Sequence, residues 1–427
     1  MADLVAALPH HADRAGHGRV QPATTDARGP PLPLGSEPLS GALDGLRVLD
    51  LTSVVMGPYA TQILGDLGAD VITIEDIGGD TNRTMGRGPH KQLSGVALTL
   101  MRNKRDVSLD LKHPDGREAF LRLAERADVM VTNLRPGPLS RLRLAYADVV
   151  ERRPDIVYCQ AQGWPTDGDS AERPAYDDIV QSASGVASLY VLQGGDPRII
   201  PSIVADKVSG LTIVYTVLAA LYHRQRTGEG QRVEVPMVDT MRSFVTVEHA
   251  SEAVPEPPLG PAGYRRALSL DRRPQQTADG WVHMLPYSRD NYVDLFRAGG
   301  RDDLADDARL ATRSSRAANV DALYAEVIAV VRTRTTAEWV GFCDDHDIPC
   351  SPIVGLDEIV AGFPIAEHPI VGPYRVVPTG PRLDATPTEL RRHAPLIGQD
   401  NDEVLTEAGF SADEIAALRD VGVLRSR

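Results

Sequence analysis

Short apolar runs and stretches of helical periodicity take turns through the first half of the chain. Leu46–Leu51, apolar at Leu46, Val48, Leu49 and Leu51, reads as a short buried strand. Thr52–Pro58 follows as a turn, and a helix is predicted from about Tyr59 to Leu67, with Pro58 at its first position. Gly68 closes that helix and Asp70–Glu75 reads as a second strand. The alternation continues. Asn103–Lys112 is a basic turn leading into a strand, His113–Ala127 a helix opened by Pro114 and Asp115, and Asp128–Asn133 a strand. Pro138 to about Val150 is a helix, and Asp155–Ala161 a strand. Strand–helix alternation of this length predicts a Rossmann-like α/β domain, a parallel sheet covered by helices on both faces. The glycines of the first turn, Gly57, Gly65 and Gly68, do not form G-x-G-x-x-G, so an NAD-dependent dehydrogenase is a poor fit.

Farther on, Pro201–Ala205 is predicted to be extended and to end in one carboxylate, Asp206. A long helix then starts, with Val208, Leu211, Val214, Val217, Leu218 and Leu221 at core-facing spacing. A carboxylate at the positive end of a helix can be held and aimed; it can equally be a plain N-cap. Met237 to His249 reads as another helix, and Ser251–Pro261 as a Pro-rich linker and domain boundary. Beyond it, a strand at Gly280–Leu285, helices at Asp290–Arg297, Asp321–Val331 and Ala337–Asp345, and an extended Ile348–Val354 suggest a smaller α+β domain. The expected organisation is a tail at 1–40, a large domain at 41–250, a linker at 251–270, a small domain at 271–385 and a returning segment at 386–427, with a helix at Ala412–Leu418.

Composition narrows the chemistry. The 427 residues carry a formal net charge of −14, which argues against nucleic acid or an anionic membrane as partner. No run of eighteen apolar residues is present to span a bilayer, and the first residues lack the pattern of a signal peptide. Cys159, Cys343 and Cys350 do not make a disulfide framework or a zinc site, so a cytoplasmic location is expected. His10, His11 and His17 fall in a Pro- and Gly-rich tail that reads as disordered and solvated rather than metal-binding. Arg102, Lys104, Arg105, Lys112, Arg135 and Arg141 fall in loops at strand ends, where they could clamp the phosphates of a nucleotide-like cofactor.

With these pieces assembled, the sequence resembles the family III coenzyme A transferases, which include formyl-CoA transferase, carnitine CoA-transferase and α-methylacyl-CoA racemase. The resemblance runs from about Leu43 to Leu424. It rests on Leu43–Leu51, Gly57-Pro58, Gly65–Val71, Glu75, Asn103–Arg105, Leu109–Lys112, Asn133–Gly137, Ala205-Asp206 and Thr227–Val233, in order and at matching spacing. It implies that Asp206 is the carboxylate that becomes acylated. It further implies CoA contacts at Val54, Val55, Leu109, Asp110, Leu111, Lys112, Asn133, Leu134, Arg135 and Arg141, to which the basic turn adds Lys104 and Arg105. Leu109 and Leu111 can also be plain core residues. The expected partners are an acyl-CoA, a small carboxylic acid and a second copy of the chain in an interlocked-ring homodimer. CoA would be a substrate, with no permanently bound cofactor and no metal.

The resemblance also marks departures. Racemases of the group carry His where this chain has Tyr176, in Pro174-Ala-Tyr-Asp177, and a Glu that aligns near Gln276. Tyrosine is a poor base at neutral pH, which favours transfer of CoA over racemisation, or over a lyase or isomerase on the same scaffold. Tyr176 and Asp177 are placed in the substrate pocket. An Arg often found after the second-strand Glu is replaced by Asp76, and no glycine-rich closing loop is apparent. Backbone donors for the reacting oxygen are sought at Lys207–Gly210 or Gly194-Gly195, and Lys207, Arg198 and Tyr176 make a dicarboxylate substrate conceivable.

Overall fold

The computed structural model describes residues 41–425; the tail expected at 1–40, with His10, His11 and His17, lies outside them. The first half runs β1 (Arg47–Leu51), α1 (Met56–Asp66), β2 (Asp70–Glu75), α2 (Gly95–Leu100), β3 (Lys104–Ser108), α3 (Pro114–Ala124), β4 (Val129–Thr132), α4 (Pro136–Leu142), α5 (Tyr146–Val150) and β5 (Val157–Gln162). It continues through α6 (Asp177–Ala183), α7 (Val186–Leu192), α8 (Val204–Thr227), β6 (Gln231–Pro236) and α9 (Met237–His249). The six strands form one sheet in the order β3-β2-β1-β4-β5-β6, and every pairing is parallel. Helices cover both faces, so the central strands place apolar residues on both sides of the sheet. Leu49, Ile72, Met130 and Tyr158 pack toward α3 on one face, and Val48, Val71, Val129 and Cys159 toward α1 and α8 on the other.

The order of strands reverses between β1 and β4, and the carboxyl ends of such neighbours diverge into a crevice. α1 starts at Met56, not Tyr59, so Pro58 is its third residue. The turn before it is made by Val54, whose φ of 68° is unusual for a β-branched residue. The Asp80 carboxylate accepts the Val54 amide at 3.2 Å and helps hold that turn. The helix expected at Pro138–Val150 is broken into α4 and α5 by Arg143 in the left-handed region. The edge strand β6 escapes the apolar-run criterion because Arg232 and Glu234 alternate with Val233 and Val235.

No strand leads into α8. The segment before it is irregular, and Ile199, Ile200 and Ile203 are more than a third exposed. The inner face of α8 is made of Ala205, Ser209, Gly210, Ile213, Val217 and Ala220, whereas Leu211, expected inside, is half exposed. Small residues are required there: a Cβ on Gly210 would lie 2.9 Å from the Met56 carbonyl and from the Tyr59 ring. At 24 residues α8 is long and apolar enough to cross a membrane by length and composition, but its inner face packs against α1 and the sheet.

The second half holds α10 (Arg265–Leu268), β7 (Gln275–Gln276), β8 (Trp281–Met284), α11 (Arg289–Ala298), α12 (Arg313–Ala318), α13 (Val320–Val331), α14 (Thr336–Asp345) and β9 (Cys350–Pro352). β7, β8 and β9 form an antiparallel sheet, and Val282, Phe296, Leu323 and Trp339 share a core there. α15 (Leu356–Ala361) and the hairpin of β10 (Ile365–His368) and β11 (Gly372–Arg375) follow. Val371 and Tyr374 of this hairpin region pack against Leu93, Ala97 and Ala394. α16 (Asn401–Glu407) and α17 (Ala412–Asp420) complete the chain. At β3, the Asp400 carboxylate accepts the Asp106 amide at 2.8 Å and the Asn401 side-chain oxygen accepts the Ser108 amide at 3.0 Å.

Candidate active site

The crevice at the end of β1 and β4 is bridged by one side chain. Asn133 accepts the Ser53 amide at 3.0 Å through Oδ1 and donates to the Ser53 carbonyl at 2.8 Å through Nδ2. Beneath it, the buried Asp50 carboxylate accepts from Thr52 at 2.5 Å, Thr61 at 2.6 Å and Lys104 at 3.0 Å. This anchors the end of β1 and the turn that follows.

Three adjoining cavities run over the strand ends. The first, about 280 Å³, is lined by Val54, Val55, Asn133, Leu134, Arg135, Tyr176 and Asp206, among others. The second, about 250 Å³, shares Asn133 and Leu134 with it and adds Glu75, Asp80 and Leu109–Lys112. The third, about 670 Å³, shares Leu111, Lys112 and Leu142 with the second and is bordered by Arg117, Arg141 and Arg143. Val54, Val55, Leu109–Lys112, Asn133–Arg135, Arg141, Tyr176 and Asp206, scattered in sequence, thus lie along one groove. Leu109 is 1% exposed and its side chain belongs to the core. Asp110 holds its turn by accepting the Lys112 amide at 2.9 Å.

Four candidates are placed elsewhere. Lys104 is buried with its Nζ on Asp50, Thr61 and the Pro58 carbonyl. Arg105 faces Asp70, Glu403 and Glu407 near the opposite, amino end of the strands, and Arg102 pairs with Asp66. These cations neutralise internal carboxylates and are not available to phosphates. Asp177 is 4% exposed and does not line the cavity. Its Oδ1 accepts the Asp206 amide at 3.0 Å and its Oδ2 accepts from Gln181 at 2.5 Å. Gln181 in turn takes the Ile200 amide at 2.9 Å and donates to the Ser202 carbonyl at 3.1 Å. Asp177 and Gln181 therefore fix the chain entering α8.

Asp206 is the third residue of α8, not its N-cap; that position is Ile203, which offers no side-chain oxygen. Among the described residues no group donates a hydrogen bond to the Asp206 carboxylate. Burial, with the nearby Asp177 and Asp178 carboxylates adding to it, raises its pKa to about 7 and outweighs the positive end of the helix. Near neutral pH this carboxylate is poised between its acid and an under-solvated anion, which is the more reactive for lacking partners.

The backbone donors expected beside it are already committed. Lys207–Gly210 lie inside α8, and the Gly194 and Gly195 amides bond to the Val191 and Tyr190 carbonyls. The amino end of α1 instead reaches the same cavity through Val55 and Met56. Gln162, Gly163, Arg173, Ala175 and Met237 also line it, and none was singled out from sequence. Gly163 carried a signal: it follows a strand, and a Cβ there would sit 2.2 Å from that of Ala175. Arg198, Lys207 and Gln276 are not part of this wall. Among the described residues no His, Cys, Asp and Glu cluster is arranged to hold a metal ion.

Residues 43–401 match the model of CoA-transferase family III. The probable fatty acyl-CoA transferase Rv3272 of Mycobacterium tuberculosis is 34% identical over 313 residues, covering 70% of this chain and 79% of that protein. Formyl-CoA:oxalate CoA-transferase of Escherichia coli O157:H7 is 28% identical over 413 residues, covering 89% of this chain and 99% of the relative. Among solved structures, orthorhombic Rv3272 superposes with a TM-score of 0.72 at 29% identity, over 85% of this chain and 98% of that one. A CAIB/BAIF family protein from Brucella suis gives 0.74 at 26% identity, over 86% and 99%. Fold, groove and these likenesses agree, and the chain belongs to CoA-transferase family III, enzymes that work on CoA thioesters.

Proposed function

We propose that this enzyme moves CoA from an acyl-CoA donor to a free carboxylic acid through covalent intermediates on Asp206. The observation that carries the reading is a carboxylate without hydrogen-bond donors at one end of a groove whose other end is basic. The Asp206 carboxylate attacks the thioester carbonyl, a C–O bond forms, the C–S bond breaks, and CoA leaves as thiolate. The thiolate then attacks the aspartyl carbonyl of the mixed anhydride, giving an aspartyl-CoA thioester and releasing the donor acid. The acceptor carboxylate attacks that thioester and the same steps run in reverse. One thioester is exchanged for another, so no net energy input is required. The amides at the amino end of α1, which borders the same cavity, suit the developing oxyanion. Lys112, Arg117, Arg141 and Arg143 suit the phosphates of CoA, and Leu111 and Leu134 suit its less polar arm. Tyr176 shapes the acyl end, and among the described residues the cavity wall holds no histidine to act as a second base.

The enzyme is further read as an interlocked homodimer in a cytoplasmic setting. Tyr215 and Tyr222 on α8 and Phe244 and Val247 on α9 are each more than half exposed, an apolar face suited to a second chain. Light scattering is expected to give twice the chain mass; a stable, active monomer would overturn this.

Asp206→Asn tests the chemistry. The variant should fold and bind CoA while transfer falls by at least about 1,000-fold, as expected when a nucleophile is removed. Wild-type enzyme treated with acyl-CoA and then hydroxylamine should carry a hydroxamate at residue 206. Transfer near wild type in the variant, with the label on another carboxylate, would refute the assignment.

A further inference from the structure

The wall around Asp206 carries two cations, Arg135 and Arg173, and among the described residues Asp206 is its only acid. Arg135 is engaged in structure. It donates to the Glu172 carbonyl at 2.5 Å, and the Glu172 carboxylate takes the Gly137 amide at 2.6 Å. This double tie fastens the amino end of α4 to the segment that carries Tyr176. Arg173 has a different setting. Its guanidinium carbon lies 5.0 Å from the centre of the Trp164 ring, and it forms no salt bridge with the described residues. Trp164 is itself tied to the end of β5, where Gln162 donates to its carbonyl at 2.8 Å. Stacking on an aromatic face leaves the edge of a guanidinium free to grip a carboxylate with two parallel hydrogen bonds.

The charge count changes during the reaction. Once Asp206 is acylated its negative charge is gone, and the two arginines remain with no anion on the wall. An attacking carboxylate cannot stay paired with Arg173, because it loses its own charge on forming the anhydride. A second carboxylate on the same molecule stays ionised through every step. We infer that Arg173 is a specificity-determining residue that binds this second carboxylate, so that the preferred acids are dicarboxylates. The inference rests on the transfer reading above. It assigns the role to Arg173 rather than to Arg198 or Lys207: neither lines the cavity, and the Lys207 ammonium is bonded to Ser202 at 2.7 Å.

Exchange of labelled acid into its own thioester tests this without knowledge of the physiological pair. Labelled succinate with succinyl-CoA is compared with labelled butyrate with butyryl-CoA. Wild-type kcat/KM should favour succinate by about 10- to 100-fold, the worth of a charge-assisted hydrogen bond. Arg173→Gln should raise the succinate KM by at least about tenfold more than the butyrate KM, with the succinate kcat within about twofold. Arg173→Lys should recover part of the loss. Equal use of the two acids by wild type would overturn the inference and leave the transfer reading standing. So would an equal rise in KM for both thioesters in Arg173→Gln, which would mark Arg173 as a CoA contact. Absence of exchange with either pair, together with no hydroxamate at Asp206, would refute the transfer reading itself and this inference with it.

Discussion

Around the start of β3, Arg102, Lys104 and Arg105 are nearly buried, and each lies within 3.1 Å of a carboxylate: Asp66, Asp50, and Asp70 with Glu403 and Glu407. Along the groove, Lys112, Arg117, Arg141 and Arg143 border the largest of the three cavities, and among the described residues none of them forms a salt bridge. The acids divide the same way: Asp50 is surrounded by donors, while the Asp206 carboxylate has none. A charge withdrawn from water must be neutralised within the chain, whereas charges left unmatched at the rim of a cavity are available to a ligand. Basic residues in similar numbers thus serve packing in one region and recognition in the other.

The sharpest way to break this contrast is Lys104→Met. It leaves Asp50 charged, buried and short of its counter-ion, and should cost about 3–5 kcal/mol of stability by urea unfolding; a loss below about 1 kcal/mol would mean that the pair is dispensable. The unmatched acid should behave oppositely. Because folding raises the Asp206 pKa from the ordinary carboxylate range to about 7, the folded form holds its proton longer than the unfolded chain. Ionisation therefore erodes stability as pH climbs from about 4 through about 7. Asp206→Asn should gain roughly 2–4 kcal/mol relative to wild type between pH 4 and pH 8.5; parallel stability curves would show that Asp206 is not strained in this way. In the active enzyme the same ionisation should appear as an acidic limb in kcat/KM near pH 7. The smallest effect is expected at the rim. Arg141→Gln should leave the melting temperature within a degree or two and raise the KM for acyl-CoA about tenfold, with the gap narrowing in high salt.

Much of the sheet was legible because its strands are buried on both faces and bounded by turn residues: β2 and α9 begin and end where the pattern predicts. The groove was legible as far as motif order carried it, from Val54 to Arg141. What failed has two physical causes. The inner face of α8 is built from Ser209 and Gly210 because α1 crosses closely there, so apolar periodicity pointed Leu211 inward when it faces out. A basic residue near a strand also does not reveal which carboxylate it will meet: Lys104 and Arg105 look like phosphate ligands in the sequence, whereas Asp50 and Asp70, far off in sequence, claim them. Arg173 is hidden in the sequence for the converse reason: Trp164 places it, and nothing in the run Glu172–Ala175 points to that contact.

The contacts of Asp400 and Asn401 with β3 bear on how the chain is made. β3 is an outer strand, and an outer strand with bare amides is a template for another chain. Here the Asp106 and Ser108 amides are occupied by side chains from almost three hundred residues later. During synthesis that border stays open until nearly the whole polypeptide has emerged. A protein cut short before Asp400 would keep a sticky margin at β3 and would also lose the Val423 carbonyl that accepts the Asp110 amide in the groove wall, so its aggregation and its loss of the groove would appear together.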